Sequence, residues 1–470
     1  MAELPAYLTP GEKRARTSSL SASALASALI LCVLFSSCAW EKDDGKKTTA
    51  RSIIGNRFLT LNTVVRVNQI EVSRDKNAGE DESTIHTLEN ARRFRGAIAA
   101  GWPEARITWA FSWRALFSEL ENYRQIREYA KQCHDTYGDD VTFFPGGYFA
   151  NAYNDREQVN RDLHDGLARV SEFMGQGFRS KSVVAGFLAA TNLQYLAEKE
   201  DIHVCQGNIW SQYAIDNQDG DGSISYPYYP SKEHFCKPAQ SQNDLIDCVN
   251  LDGWTCDFLA ARREGFRDNF NSRMGVGPIE TIGAHGPETG LRQMMATTAV
   301  HFDRGYELNR FAWVTNCWEL VLVSQIGHLE SLTAWLKEIR TRWPDARCIT
   351  QGEFGELWRK EFRNNDEINY RFVQQGTGIG GSDKDKEIRW YMNKEFRLAI
   401  LKDPGTTAEY VIDFTRYDVP AKEPADMTRR WSLMGLLNQK QTRPQDTPIP
   451  FHELSQQEQQ SVSRRYPEFK

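Results

Sequence analysis

The sequence predicts an α/β protein: a (β/α) barrel of about seven to eight parallel strands, followed by a C-terminal β-rich domain. Short apolar segments alternate with amphipathic helices over residues 52–384, a pattern typical of parallel strands joined by right-handed crossovers. About eight such units in roughly 340 residues favour a closed barrel over an open sheet. Beyond residue 384 the alternation stops, and apolar strand-like runs separated by turn residues predict antiparallel structure.

Eight segments have the composition of barrel strands. They are residues 61–72, 105–113, 141–149, 182–188, 202–210, 278–284, 310–323 and 346–354. The segments 120–133, 159–173 and 329–339 between them carry apolar residues at three- and four-residue spacings, which predicts helices packed against a sheet. The stretches beginning Trp102-Pro103-Glu104 and Trp343-Pro344-Asp345 resemble each other, and we interpret them as one helix-to-strand turn used twice.

The N-terminus predicts export. Basic residues near position 14 precede an uncharged apolar run, which is the pattern of a signal peptide over residues 1–37. The run closes on Cys38 in a sequence that resembles a bacterial lipobox, so we expect Cys38 to be lipidated and residues 38–51 to form a linker. An uncleaved membrane anchor is the alternative. The predicted location is the bacterial cell envelope, at the outer membrane or cell surface, with the lipid as the membrane partner.

The predicted domain boundaries follow from these patterns. The α/β barrel domain covers residues 52–384, and the C-terminal β-rich domain covers residues 385–470. Its last 16 residues are polar, and we expect them to fray.

Composition excludes several functions. The formal net charge is −6 without a long basic run, so nucleic acid is not an expected partner. No P-loop motif is present, so we expect no nucleotide cofactor. Export would permit disulfides, and we favour a bridge between Cys236 and Cys248. No Cys-x-x-Cys pair supports a zinc ribbon.

Candidate catalytic residues follow from the rule that parallel barrels place their active groups at the carboxyl ends of the strands. Glu319 and Glu353 each follow a predicted strand, and paired carboxylates are what glycosidic bond hydrolysis requires. His285 follows another predicted strand. A structural salt bridge is the alternative for each carboxylate.

The segment 217–229 predicts a loop at the substrate side. Asn217, Asp219 and Asp221 occupy positions one, three and five of a calcium loop, and a glycine follows at position six. Position twelve is Tyr228 instead of the usual glutamate, so a plain turn and a substrate-contact loop are alternatives to a site for calcium or another divalent cation. Tyr226 and Tyr228 would then stack on sugar rings.

The segments around "TWAFSW", "TFFPGGYFANAYN" and "GFRSKSVVAGFLA" resemble the barrel of the glycoside hydrolase/polysaccharide deacetylase superfamily, and an uncharacterised secreted bacterial lipoprotein family within it. The resemblance covers about residues 60–360. It implies a polysaccharide or oligosaccharide partner, and Arg179 matches an arginine beside the fourth strand of the deacetylases. Those deacetylases bind a divalent metal through an Asp-Asp pair and a spaced His pair, but here no Asp-Asp pair ends the first predicted strand and no two histidines have that spacing.

We therefore predict an exported, lipid-anchored protein that hydrolyses a glycan with Glu353 and Glu319, helped by His285. The expected substrate-binding residues are Trp113, Arg179, Trp210, Tyr226 and Tyr228. Two alternatives stay open: a non-catalytic glycan-binding protein, and a deacetylase-like enzyme with an altered metal set.

Overall fold

The computed structural model describes residues 52–71, 74, 78–175, 177–186, 188–208, 222–264, 274–403, 405, 408–427, 433, 437 and 448–469. All of them belong to one compact unit that spans residues 50–470. Within the described residues, we find no helix that combines the length and apolarity needed to cross a membrane.

Fifteen strands are found in the described part of the chain. In order, they are β1 (Arg57–Val65), β2 (Asn68–Ile70), β3 (Ala78–Asp81), β4 (Thr108–Ser112), β5 (Asp140–Phe144), β6 (Val183–Val184), β7 (Val204–Asn208), β8 (Val249–Asp252), β9 (Ala312–Cys317), β10 (Arg347–Cys348), β11 (Asn369–Gln375), β12 (Glu387–Asn393), β13 (Phe396–Lys402), β14 (Glu409–Arg416) and β15 (Ile449–Pro450).

The same residues include twelve α-helices. They are α1 (Leu88–Gly101), α2 (Trp113–Phe117), α3 (Glu121–Tyr137), α4 (Ala150–Tyr153), α5 (Arg156–Met174), α6 (Ala190–Lys199), α7 (Phe258–Glu264), α8 (Pro287–Val300), α9 (Tyr306–Asn309), α10 (His328–Arg342), α11 (Gln351–Glu361) and α12 (Gln456–Arg465). The three helices expected from apolar spacing are α3, α5 and α10, and each buries the predicted face.

Eight strands pair in parallel and form two sheets. In the first sheet β1 is central: it pairs with β9 along one edge and with β10 and then β4 along the other, and β4 pairs with β5. The second sheet is β6-β7-β8. The sheets face each other, because Asn62 on β1 donates hydrogen bonds to Gln206 on β7, at 3.0 Å, and to Gln351, at 2.5 Å. The predicted α/β class with parallel strands is confirmed.

The repeated Trp-Pro turn joins helix to strand twice in the same way. Trp102 is the C-cap of α1, and its backbone N–H donates to the carbonyl of Ile98. Trp343 is the C-cap of α10, and its backbone N–H donates to the carbonyl of Ile339. Both indoles are buried, and β4 and β10, which follow them, lie side by side along β1.

Two strand assignments from the sequence were wrong. Residues 278–284 were expected to form a strand, but Ile279–Gly283 is a helical turn that leads into α8. The strand β8 was missed, because its polar residues Asn250 and Asp252 hide the apolar pattern although all four residues are buried.

The C-terminal β-rich region is an antiparallel sheet in the order β11-β12-β13-β14-β15. It begins at Asn369, within the segment that we assigned to the barrel domain. The polar tail was expected to fray but forms α12, whose capping box joins Ser455 and Glu458. The helix is held because Val462 and Tyr466 are buried against the sheet.

Candidate active site

The carboxyl end of β1 brings an arginine to the edge where β4, β5 and β9 also end. Arg66 directly follows β1, and the hairpin β2-β3 returns the chain so that the N–H of Glu82 donates to the carbonyl of Val67 at 2.8 Å. Tyr123 on α3 donates its hydroxyl to the carbonyl of Arg66 at 3.0 Å. The backbone of Arg66 is thus fixed from two sides.

The guanidinium of Arg66 lies between two carboxylates. Its Nε and Nη2 donate to Glu82 at 2.7 and 2.8 Å, and its Nη2 and Nη1 donate to Glu319 at 2.8 and 3.3 Å. Glu319 follows β9, whose register places Cys317 beside Asn62 of β1. Because one nitrogen contacts both carboxylates at 2.8 Å, their nearest oxygens are no farther apart than twice that distance.

A histidine and a tyrosine complete the group. His86 Nε2 lies 3.3 Å from Glu82 Oε2, in a geometry that makes no hydrogen bond. Tyr148 donates its hydroxyl to Glu319 Oε1 at 3.1 Å, and its oxygen lies 3.4 Å from Cys317 Sγ. We call Arg66, Glu82, His86, Tyr148 and Glu319 the arginine cluster. Glu319 is its most exposed carboxylate, since 14% of its side chain is accessible against 7% for Glu82.

The turn after β5 holds Tyr148 in an unusual backbone conformation. Gly146, Gly147 and Tyr148 follow one another with φ angles of 57°, 54° and 73°. A side chain at Gly147 would come within 2.8 Å of the backbone nitrogen of Glu71, so only glycine fits there. Positive φ in a non-glycine residue is costly and concentrates at functional sites. The turn directs the phenol of Tyr148 onto Glu319.

Burial and pairing set the charges of the cluster. Burial lowers the pKa of Arg66, but Glu319 and Glu82 outweigh it and leave the pKa above its usual value. Burial raises the pKa of Glu82, but His86 and Arg66 outweigh it and bring the pKa to about 2. Burial lowers the pKa of His86 despite the opposing effect of Glu82. At neutral pH the site therefore contains a charged guanidinium, an ionised Glu82 and a neutral imidazole.

A second polar group lies beside the cluster. Glu71 is buried and accepts hydrogen bonds from Ser112 Oγ at 2.8 Å and from the N–H of Arg114 at 3.1 Å. It lines a shallow depression with Trp113, which was expected to bind substrate. The indole of Trp113 stacks on Phe117 at 4.3 Å and carries the guanidinium of Arg74 at 3.9 Å, so little of the ring is left for a sugar.

The predicted carboxylate pair does not converge. Glu353 forms the capping box at the start of α11 and pairs with Arg106 at 2.9 Å, whereas Glu319 pairs with Arg66. The register of β1 and β4 puts Arg66 level with Ser112, six residues beyond Arg106. At about 3.3 Å per residue the two arginines differ in level by about 20 Å along the strands. The prediction that Glu353 and Glu319 share a cleft was wrong because β10 ends early and its chain turns into a helix.

Other predicted substrate residues lie elsewhere. Tyr226 is in the core, where its hydroxyl accepts from the N–H of Trp313 at 2.9 Å, and the buried Tyr228 donates to the carbonyl of Phe235 at 2.7 Å. Neither ring can stack on a ligand. Arg179 is exposed before the amino end of β6, at the opposite edge of the sheet.

The remaining predicted residues divide into those described and those not. His285 is half-buried between the helical turn 279–283 and α8, and its Nε2 has no hydrogen-bond partner. Cys236 and Cys248 are both buried, and the favoured disulfide between them is not formed. The other predicted residues lie outside the described part of the chain: Cys38, Trp210, Asn217, Asp219 and Asp221.

The arginine cluster does not fit a divalent metal in its present form. Within the described residues no three His, Cys, Asp or Glu side chains are arranged to hold a metal ion. Glu82, His86 and Glu319 are the right types of ligand. The guanidinium of Arg66, however, stands between the two carboxylates.

Sequence reasoning missed Arg66, Glu82, His86 and Tyr148. We placed the first strand at 61–72, which moved its carboxyl end to Asn68 and Glu71, whereas β1 ends at Val65. The four-residue spacing of Glu82 and His86 was a usable signal, and so was the pair of glycines before Tyr148.

A family model matches most of the chain. Residues 51–392 match a domain of unknown function with a solved structure, DUF3863, and residues 397–469 match a second such domain, DUF3864. The chain belongs to the DUF3863 family. The boundary between the two matches falls between β12 and β13, inside the antiparallel sheet.

A solved structure from Parabacteroides distasonis, described as a candidate glycoside hydrolase/deacetylase, is 48% identical. The match covers 89% of this chain and 99% of that chain with a TM-score of 0.84. The predicted relation to glycoside hydrolase/deacetylase-like proteins is thereby confirmed.

A candidate polysaccharide deacetylase from Mycobacterium smegmatis is 11% identical, covering 65% of this chain and 92% of that chain at a TM-score of 0.42. No curated protein matches the chain.

Proposed function

We propose that the protein is a carbohydrate-active hydrolase that cleaves a polysaccharide or oligosaccharide at the arginine cluster, with Glu319 as the reactive carboxylate. The observation that carries this proposal is the position of Glu319: it is partly exposed at the carboxyl edge of the parallel sheet and is held by Arg66 and Tyr148. The 48%-identical protein described as a candidate glycoside hydrolase/deacetylase supports the substrate class.

Hydrolysis adds water across the bond that breaks. In the proposed step Glu319 accepts a proton from a water molecule and the water oxygen bonds to the substrate carbon. The bond from that carbon to the leaving oxygen breaks, and the leaving oxygen takes up the proton that Glu319 holds, which restores the carboxylate. Arg66 balances negative charge at Glu319 and fixes both carboxylate oxygens, and Tyr148 fixes one of them. A carboxylate held by three donors is oriented before the substrate arrives, which lowers the cost of reaching the reactive geometry.

We also propose that the eight parallel strands close into a barrel. Supporting this, the N–H of Thr255, after β8, donates to the carbonyl of Thr315 on β9 at 3.0 Å. At the other junction, Thr142 on β5 donates its hydroxyl to the carbonyl of Ser182, before β6, at 2.5 Å.

Export and lipid anchoring remain proposals that rest on the N-terminal sequence. We expect a Cys38→Ala variant to leave the detergent phase or to accumulate as unprocessed precursor. If the variant is processed to the mature length and still partitions into detergent as the wild type does, Cys38 is not the anchor.

The proposed reaction is tested with glycan substrates and matched variants. A panel of polysaccharides is screened for release of reducing sugar and of acetate, and Glu319→Gln and Glu353→Gln are compared with the wild type on each substrate found. Glu319→Gln keeps the shape of the side chain, and its turnover should fall by about 100-fold or more. Glu353→Gln should stay within about two-fold, because Glu353 pairs with Arg106 and makes no contact with the arginine cluster.

Each result has one meaning. Wild-type turnover by Glu319→Gln would exclude Glu319 as the reactive carboxylate. Acetate without reducing sugar would establish the deacetylase-like alternative, and binding without any cleavage would establish a glycan-binding protein.

A further inference from the structure

We infer that Arg66 is a built-in cation: its guanidinium occupies the place in which Glu82, His86 and Glu319 would otherwise hold a divalent metal ion. This inference rests on the proposed function, because it assigns to Arg66 the electrostatic part of the reaction at Glu319. Arg66 is a positioning residue in this account, since it is buried and acts through Glu319.

The geometry is that of a coordinated cation. A single nitrogen of Arg66, Nη2, lies 2.8 Å from an oxygen of Glu82 and 2.8 Å from an oxygen of Glu319. A second nitrogen of Arg66 also donates to each carboxylate, Nε to Glu82 and Nη1 to Glu319. All four carboxylate oxygens therefore accept hydrogen bonds from the one guanidinium. Divalent cations bind carboxylate oxygens at roughly 2.0–2.6 Å, so each carboxylate would need to move inward by less than about 1 Å to bind one.

His86 supplies an independent observation. It is 1% exposed, and its Nε2 has no hydrogen-bond partner although it lies 3.3 Å from Glu82 Oε2. Its Nδ1 accepts a hydrogen bond from the backbone N–H of Arg66 at 3.4 Å, which fixes the ring beside Glu82. A buried ring nitrogen beside the Glu82 carboxylate is a third ligand of the type that transition metals prefer.

Charge explains why the arginine excludes a metal. Two carboxylates with one guanidinium have a net charge of about −1, and a metal ion added beside the guanidinium would face its repulsion at less than 4 Å. Removing the guanidinium leaves two buried carboxylates without a counter-charge, which is a strongly unfavourable arrangement. A divalent cation would relieve it. The structure therefore predicts that a metal site appears when Arg66 is lost.

The test compares manganese binding by four full-length proteins: the wild type, Arg66→Ala, Arg66→Lys, and the double variant Arg66→Ala with Glu319→Gln. Bound Mn²⁺ is counted by electron paramagnetic resonance, and the melting temperature is measured in EDTA and in Mn²⁺. Arg66→Ala should bind one more Mn²⁺ than the wild type, and Mn²⁺ should raise its melting temperature by about 3 °C or more.

The other two variants are controls. Arg66→Lys keeps a positive charge and should bind no additional Mn²⁺. The double variant lacks one carboxylate, so its extra binding should fall at least tenfold. Any manganese bound by residues 217–221 is common to all four proteins and cancels from the comparison.

Arg66→Gln replaces Arg66→Ala if the alanine variant is insoluble both with and without Mn²⁺, and the same additional ion is then expected. Equal manganese stoichiometry in the wild type and in the soluble neutral variant would overturn the inference. Because the manganese measurement needs no glycan, its result is independent of whether the proposed hydrolysis is found.

Discussion

Glu423 should make the stability of this protein depend on pH. Its carboxylate is buried at the start of α6, where it accepts from the N–H of Ala190 at 2.9 and 3.1 Å and from the N–H of Phe235 at 2.7 Å. Burial raises its pKa from 4.5 to about 7, although these bonds and Arg156 oppose the change. Between pH 4.5 and 7 the folded protein therefore retains a proton that the unfolded chain has released.

The sign and size follow from this difference. Because the pKa is higher in the folded state, the contribution of Glu423 is fully present below pH 4.5 and is lost as the pH rises through 7. At 1.36 kcal/mol per pKa unit, the loss is about 3 kcal/mol. Glu423→Gln carries no titrating proton, so its free energy of unfolding relative to the wild type should rise by about 3 kcal/mol between pH 4.5 and pH 8.

The assay is urea unfolding, followed by tryptophan fluorescence, at several pH values across this range. Glu157→Gln is the control, because the side chain of Glu157 is 89% exposed. Its free energy of unfolding relative to the wild type should stay constant across this pH range. If the difference between Glu423→Gln and the wild type is constant within about 0.5 kcal/mol across the range, the carboxyl of Glu423 does not titrate as argued.

Three further predictions concern the site and its surroundings. Gly147→Ala should destabilise the fold by about 2–3 kcal/mol, because φ is positive at this position and the new Cβ would meet the backbone of Glu71. Gly96→Ala, on an open face of α1, is the control and should stabilise the fold slightly. Chemical denaturation measures both free energies of unfolding. Tyr148→Phe removes one donor to Glu319 and keeps the ring, so kcat on a confirmed substrate should fall about tenfold with KM and melting temperature nearly unchanged; an unchanged kcat would show that the hydroxyl is dispensable. Calcium should raise the melting temperature of the wild type but not of Asp221→Ala, and an unchanged wild-type melt in EDTA and in calcium would leave the segment a simple turn.

Local pattern was enough for much of the fold. The apolar runs that became β4, β5 and β9 were recognisable because strands buried on both faces are largely apolar. The helices α3, α5 and α10 were recognisable from one apolar face. Residues 278–284 show the limit of such reasoning, since a short apolar run fits a strand and a buried helical turn equally well.

The site needed the tertiary structure. The sequence by itself determined the type of fold and one member of the arginine cluster, Glu319, because these depend on residue type and on nearest neighbours along the chain. It could not rank Glu319 above Glu353, since both follow a strand and differ only in which arginine they meet, Arg66 or Arg106. Those partners are 253 and 247 residues away in sequence, and strand register alone brings them together.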